Sequence, residues 1–286
     1  MNAPVSAVAF DLDGTLVDLE ALHHEAWLAA ARQAGVELTR DQALQRLPHF
    51  VGGPDPQVAA EIAALSPAAV PPAQTLTAKQ RSFDDLIGSV DEIVPRPGVA
   101  AVLDRLCALD VPVAVGTATE RAVALAILRR AGLLAVFGEA RVVAARDVPR
   151  LKPAPDVYLA TADLLGVPPH SQLVFEDSVT GALAARSAGS RVVAVPTVHD
   201  PDYLRRFETA GAVAVVEDWQ APGLLPLLDR LTAGDRLTTA DGLTAVDQLT
   251  AADGLTAADR LTAADHVAPA ERPESAETPG AAYVRA

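Results

Sequence analysis

Two aspartates, Asp11 and Asp13, stand two positions apart in the stretch FDLDGTLVD, directly after the apolar run Val5-Ser6-Ala7-Val8-Ala9. In an extended strand, residues i and i+2 share a face. At a strand end, with Gly14 turning the chain, both carboxylates can therefore enter one cavity. Two carboxylates held close repel unless a cation or a proton lies between them. The pair thus supports a division of labour. One acid is ionised, metal-bound and nucleophilic, and the other carries a proton as acid–base catalyst. Asp and Gly also favour simple turn geometry, so the pair gains weight only from what accompanies it.

Three further features accompany it. Thr117 closes the run VPVAVGT, Lys152 lies in RLKPAPDVY, and Glu176-Asp177 follow QLVF, with Ser178 placed to cap a helix. Each alone has an ordinary reading, such as a helix-cap neighbour, a solvated charge or acids at a helix N-terminus. Together they supply a hydroxyl, one of the chain's two lysines and two more acids, each after an apolar run. Clustered carboxylates suit Mg²⁺, a hard ion that prefers oxygen ligands. The hydroxyl, the ammonium and exposed turn amides suit the oxygens of a phosphate.

Six short apolar runs position these residues: Val5–Phe10, Val111–Gly116, Arg141–Ala144, Leu173–Phe175, Arg191–Val195 and Ala212–Val216. They lack polar alternation, as strands buried on both faces do. Helical stretches such as Glu120–Ala131, Pro155–Leu165 and Thr180–Ala188 separate them. That alternation predicts an α/β fold, a Rossmann-like parallel sheet with helices on both faces. Ligands bind such sheets at the carboxyl ends of the strands. About a hundred residues separate the first two runs, far more than one crossover needs. Helical patterns fill the gap at Ala21–Ala34, Arg40–Leu47, Pro56–Leu65 and Thr77–Ile87, and Pro95-Arg96-Pro97-Gly98 closes it. Residues 17–95 are therefore expected to form an inserted α-helical cap, able to act as a lid over the strand ends. Residues 1–16 and 96–220 would form the catalytic core.

The 286 residues, half of them hydrophobic, are enough for one sizeable core and a smaller insert. No apolar run is long enough for a membrane helix, and the N-terminus reads as no signal peptide. A net charge of −14 disfavours nucleic acid as a partner. The single cysteine, Cys107, fits a reducing cytoplasm and reads as a small core residue. Residues 221–286 are read as a terminal helix and then a low-complexity tail. Within it, residues 231–266 repeat six hexapeptides of the type LTAADG. A six-residue period gives a helix no apolar stripe, so the tail is expected to be disordered, the alternative being a small stacked β-solenoid or assembly tag.

The ordered set DLDGT (Asp11–Thr15), VAVGT ending at Thr117, LKPAPDVY around Lys152 and FEDSVTGALAARSAG (Phe175–Gly189) resembles the haloacid dehalogenase superfamily. It is most similar to the helical-cap subfamily of β-phosphoglucomutase and phosphoglycolate phosphatase, over roughly residues 5–220. The cap segment HHEAW (His23–Trp27) resembles that subfamily too. The resemblance implies that Asp11 attacks phosphorus and forms an aspartyl-phosphate. Asp13 protonates the leaving alcohol, later helps to deprotonate water, and offers Mg²⁺ its backbone carbonyl. Asp177, supported by Glu176, completes the metal site. Thr117 and Lys152 bind the transferring phosphoryl group. Ala118 stands where relatives often carry Asn or Ser, and its backbone amide stays available.

Within that superfamily, Asp13 argues against dehalogenation, because a departing halide needs no proton. The lysine of the cap, Lys79, lies too late for the imine of phosphonate hydrolysis. What remains is a Mg²⁺-dependent phosphomonoester hydrolase acting on a small phosphorylated metabolite, a sugar phosphate or similar. Two alternatives stand beside it: a sugar-phosphate mutase of the β-phosphoglucomutase type, and a non-catalytic binding or scaffold protein with the same fold. Substrate choice is expected from the cap, with His23, Arg46, His49, Gly52 and Lys79 as candidates beside Ala118. A cytoplasmic monomer or homodimer with no membrane or nucleic-acid partner is expected.

Overall fold

The computed structural model describes residues 4–50 and 55–234. Strand β1 (Ala7–Phe10) leads into four helices, α1 (Glu20–Gln33), α2 (Arg40–Arg46), α3 (Asp55–Leu65) and α4 (Pro72–Ser89). Helix α5 (Val99–Ala108) returns the chain to β2 (Val113–Gly116), then α6 (Arg121–Arg130), α7 (Leu134–Phe137) and β3 (Val142–Val143). Helix α8 (Asp156–Leu164) precedes β4 (Gln172–Glu176), and α9 (Val179–Ser187) precedes β5 (Arg191–Ala194). Helix α10 (Pro201–Thr209), β6 (Ala214–Val215) and α11 (Leu224–Ala233) complete the described chain.

The six strands form one parallel sheet in the order β3-β2-β1-β4-β5-β6. The strands are apolar throughout because both faces are covered. On one face Phe10, Val115, Phe175 and Val193 meet Val102 and Leu106 of α5, Ile127 of α6 and Leu227 of α11. The Phe10 and Phe175 rings stack at 5.3 Å, and Trp219 closes over both. On the other face Ala9, Val174, Val192 and Ala194 meet Tyr158 of α8, Ala182 and Ala185 of α9 and Phe207 of α10. The chain winds outward from β1 to β3 and then resumes at β4 on the other side of β1. That reversal opens a crevice at the carboxyl ends of β1 and β4.

Helices α1–α4 bury a cluster of their own, built from Trp27, Leu28, Ala31, Leu47, Val58 and Ile62. Thr39 starts α2 with a capping box: its hydroxyl accepts the Gln42 N–H and the Gln42 side chain accepts the Thr39 N–H. Helix α4 starts at Pro72, five residues before the periodic pattern, because proline near the first helical position presets φ. Where the chain leaves and rejoins the sheet, Val17 bridges both Asp13 and Pro95.

Two expectations are corrected. Cys107 is exposed. The buried stripe of α5 runs through Val99, Val102, Leu103 and Leu106, and position 107 turns about 100° away from Leu106. The first hexapeptide also begins inside the fold. Leu231 is buried in the last turn of α11, one turn on from Leu227 and Leu228, and its carbonyl accepts the Val5 N–H at 2.8 Å. Residues 235–286, with the other repeats, lie outside the described residues. Among the described residues no helix is long and apolar enough to cross a membrane.

Candidate active site

Asp11 is the first residue past β1, and its N–H donates to Phe175 O across the sheet. Glu176 ends the neighbouring β4, so the strand pairing itself brings the two carboxylates together. Lys152 comes from the loop before α8 and donates to Asp11 Oδ1 and, at 2.6 Å, to Glu176 Oε1. Glu176 is fully buried. Its Oε1 also accepts the Tyr158 hydroxyl at 2.5 Å, and its Oε2 accepts the Ser178 N–H and hydroxyl. Both of its oxygens are thus engaged within the protein. Ser178 in turn caps α9 by accepting the Gly181 N–H.

Asp11, Glu176 and Asp177 offer carboxylate oxygens all within 4.8 Å of one another. Asp177 Oδ1 accepts the Thr15 hydroxyl at 2.8 Å. Asp13 lies beside α1, with its Oδ2 2.5 Å from His23 Nε2, and the His23 ring stacks on Phe83 of α4. Thr117 is buried at the end of β2, where its Oγ accepts the Thr119 N–H, leaving the hydroxyl hydrogen to donate.

So many buried acids leave an electrostatic signature. Burial raises the Asp11 carboxyl to about 7; Lys152 opposes that rise and Glu176 adds to it. Burial, then Asp11 and Glu176, push Asp177 well above the carboxylate range. Burial would pull Lys152 down, but Asp11 and Glu176 outweigh it and push the ammonium up. Among the described residues Lys152 is the one cation paired directly with these acids, and Arg96 acts on Asp177 through space; a divalent cation bound by the carboxylate oxygens would balance the charge that remains. The all-oxygen donor set fits Mg²⁺.

Other expected residues stand elsewhere. A cavity of about 190 Å³ opens beside Asp13, Gly14 and Asp177, lined further by Asp18, Glu20, His23 and His24 among others. His23 therefore faces the catalytic groups. His49 is paired with Glu61 at 2.5 Å and Arg46 is exposed on α2; neither lines that cavity. Lys79 is buried between the Trp27 and Phe83 rings and donates to Asp55 at 2.8 Å, so its charge is already matched. Ala118 is exposed just past Thr117, and Gly52 lies outside the described residues.

Sequence reasoning missed Tyr158, Arg96 and Gly181. Arg96 donates to the carbonyls of Gly14 (2.5 Å), Val195 (2.6 Å) and Pro196 (3.2 Å), tying the loop after β1 to the loop after β5. Gly181 sits inside α9, where alanine would ordinarily gain about 1 kcal/mol of helix stability. A Cβ there would collide with the Glu176 carboxylate, which Lys152, Tyr158 and Ser178 hold in place. Gly181→Ala is therefore expected to destabilise by about 1–3 kcal/mol and to lower turnover, as read by denaturant midpoint and initial rate. A gain in stability would show that Glu176 is not held.

The model of the haloacid dehalogenase-like hydrolases matches residues 5–189. The chain is 32% identical to protein CbbY of Rhodobacter capsulatus, over 77% of this chain and 94% of that one. It is 34% identical to fructose-1-phosphate phosphatase YqaB of Escherichia coli (strain K12), over 66% of this chain and 96% of that one. Among solved structures, a putative β-phosphoglucomutase from Thermotoga maritima superposes with a TM-score of 0.60 at 30% identity, over 79% of this chain and 99% of that one.

Proposed function

The chain belongs to the haloacid dehalogenase-like hydrolases and is one of their phosphatases, and from that premise we propose that it is a Mg²⁺-dependent phosphomonoester hydrolase acting on a small sugar phosphate. The observation that carries the reading is the buried constellation of Asp11, Lys152, Glu176 and Asp177 at the switch point of the sheet. Phosphoryl transfer asks chiefly for positioning and neutralisation of charge.

In this reading Asp11 attacks phosphorus, and the P–O bond to the alcohol breaks as the aspartyl-phosphate forms. Asp13 gives its proton to the departing alkoxide and later takes one from the water that hydrolyses the intermediate. His23, beside Asp13 on α1, sets the orientation of that carboxyl. Thr117 and Lys152 hold phosphate oxygens. Glu176 is spent on keeping Lys152, Tyr158 and Ser178 in register, so Asp11 and Asp177, with the Asp13 carbonyl, are the residues that would hold Mg²⁺. The bound cation would lower the repulsion between anionic Asp11 and an anionic ester. Residues 17–95 act as the cap, closing over the cavity to keep bulk water away before the intermediate forms.

The test is phosphate release from a panel of phosphomonoesters with Mg²⁺ and with excess EDTA. Release that EDTA abolishes and Mg²⁺ restores is the expected result; equal release in EDTA would remove the metal from the reading. The likeness to a putative β-phosphoglucomutase supports a mutase as the second reading. Conversion of a hexose 1-phosphate in the presence of its bisphosphate, without free phosphate, would favour it.

A further inference from the structure

The cavity beside Asp13 has a wall that the phosphoryl chemistry leaves unused. Asp13 and Asp177 belong to the metal and acid–base groups, and Asp55 is matched by Lys79. Asp18 and Glu20, at the start of α1, remain; the charge of Arg96 reaches Asp18, but its guanidinium is bonded to three backbone carbonyls rather than to either acid. Asp18 Oδ1 accepts the Glu20 N–H, which holds both acids at the mouth of the cavity. Among the described residues no lysine or arginine lines it. Arg40, whose charge reaches His24, is exposed on α2.

A second observation points to what enters. His24 lines the same cavity and is only 3% exposed, yet among the described residues neither ring nitrogen has a partner in hydrogen-bond geometry, although the Phe50 backbone interacts with the ring. Its ring is held flat against Phe50, with centroids 4.5 Å apart, and Nε2 lies 3.5 Å from Glu20 Oε1 without the geometry of a hydrogen bond. Burial holds the ring below the ordinary histidine range, so it is neutral at pH 7. A neutral, fixed imidazole offers one donor and one acceptor, which complement a hydroxyl. Leaving such a group unpaired when buried is costly, so a ligand that supplies the missing partner is favoured.

Resting on the phosphatase reading, we infer that the wall formed by Asp18, Glu20 and His24 selects a substrate whose leaving group is an uncharged polyol, and rejects one bearing a second phosphate. His24 hydrogen-bonds a hydroxyl of the sugar. Asp18 and Glu20, both open to solvent, repel a second dianion brought against that wall, an effect that salt screens. The same repulsion disfavours a mutase cycle, whose bisphosphate must turn over within this cavity.

The experiment compares kcat/KM for fructose 1-phosphate, fructose 1,6-bisphosphate and p-nitrophenyl phosphate, all with Mg²⁺. The two sugar esters share the ester at C1 and differ by the distal phosphate. The monophosphate is expected to be favoured at least about tenfold, and high salt should narrow the ratio. An Asp18→Asn, Glu20→Gln double variant should bring the ratio within about threefold. His24→Phe, which keeps the stack on Phe50, should raise KM for fructose 1-phosphate about tenfold while KM for p-nitrophenyl phosphate changes less than twofold. Equal use of both sugar esters, with p-nitrophenyl phosphate also cleaved, would overturn the selection and leave the phosphatase reading standing. A ratio unmoved in the double variant would likewise overturn it. No release from any of the three would overturn the phosphatase reading, and this inference with it.

Discussion

Asp11→Asn is expected to lose phosphate release by at least about 10³-fold while folding at least as well as the parent chain. The loss follows from the chemistry, because an amide cannot attack phosphorus and form the acyl phosphate. The stability follows from the site. Asp11 is buried, and its carboxyl is raised to about 7. An acid whose folded pKa lies above its unfolded value binds more protons when folded, so without metal its contribution to stability falls as pH rises from the carboxylate range through about 7. Asparagine carries no such charge. In EDTA at pH 8 the variant should therefore melt at or above the parent, and at pH 5 the two should converge. Adding Mg²⁺ should raise the melting temperature of the parent and raise the variant's less. Retained turnover would remove Asp11 as nucleophile. A variant that melts lower at pH 8 would show that the Lys152–Asp11 pair outweighs the burial of its charge.

Lys152→Met is expected to have the larger structural effect. It leaves Asp11 and Glu176 buried without their shared cation, and breaking one side of a buried pair costs about 3–5 kcal/mol. The penalty should be greatest at alkaline pH, where Asp11 would have to ionise, and should shrink towards pH 5 as a proton on Asp11 takes over from the ammonium. Denaturant midpoints at the two pH values read this directly. Turnover should fall by at least about 10²-fold, because Lys152 also neutralises the transferring phosphoryl group. Arginine should rescue little, since its planar fork does not fit a slot where Lys152 is enclosed by Asp11, Glu176 and the Tyr158 ring. A Lys152→Met protein with parental stability at pH 8 would mean that solvent reaches the two carboxylates.

Most of the proposed catalytic residues were legible in the chain because they lie at strand ends, and the strands announce themselves as apolar runs; Lys152, in the loop before α8, is the exception. Asp11 follows β1, Thr117 follows β2, and Glu176 ends β4 with Asp177 just past it, so a parallel sheet alone collects them at one edge. The Mg²⁺ expectation rests on the acids in that set, and Asp11, Glu176 and Asp177 form a cluster that could hold a metal ion. The helices α1, α2, α3, α6, α8 and α9 were likewise readable from periodicity and caps. Helix α10 was not, although Asp200 and Pro201 form a usual start signal. Its short segment has only Leu204 and Phe207 to bury, too little for a pattern.

What could not be read was which side chain meets which across long separations. Tyr158 reads as a core aromatic in KPAPDVY, and only the packing of α8 on β4 delivers its hydroxyl to Glu176. Arg96 reads as part of a hinge, and its three partner carbonyls are single backbone atoms 82 to 100 residues away. Gly181 reads as a weak helix position until the buried Glu176 carboxylate is placed against it. In the cap the same limit applied to charges. Lys79 and His49 were plausible substrate contacts by type, but Asp55 and Glu61 occupy them. His24 gave no signal beside His23, because the two differ only in which face of α1 they present, and α4 and Phe50 settle that. The sequence by itself determined the sheet, the order of its strand-end residues and hence the family of chemistry, since these depend on local pattern and a fixed strand period. The tertiary structure decided which charges remain unmatched around the cavity. Charge balance is a property of contacts between distant segments, and it governs what the site will accept.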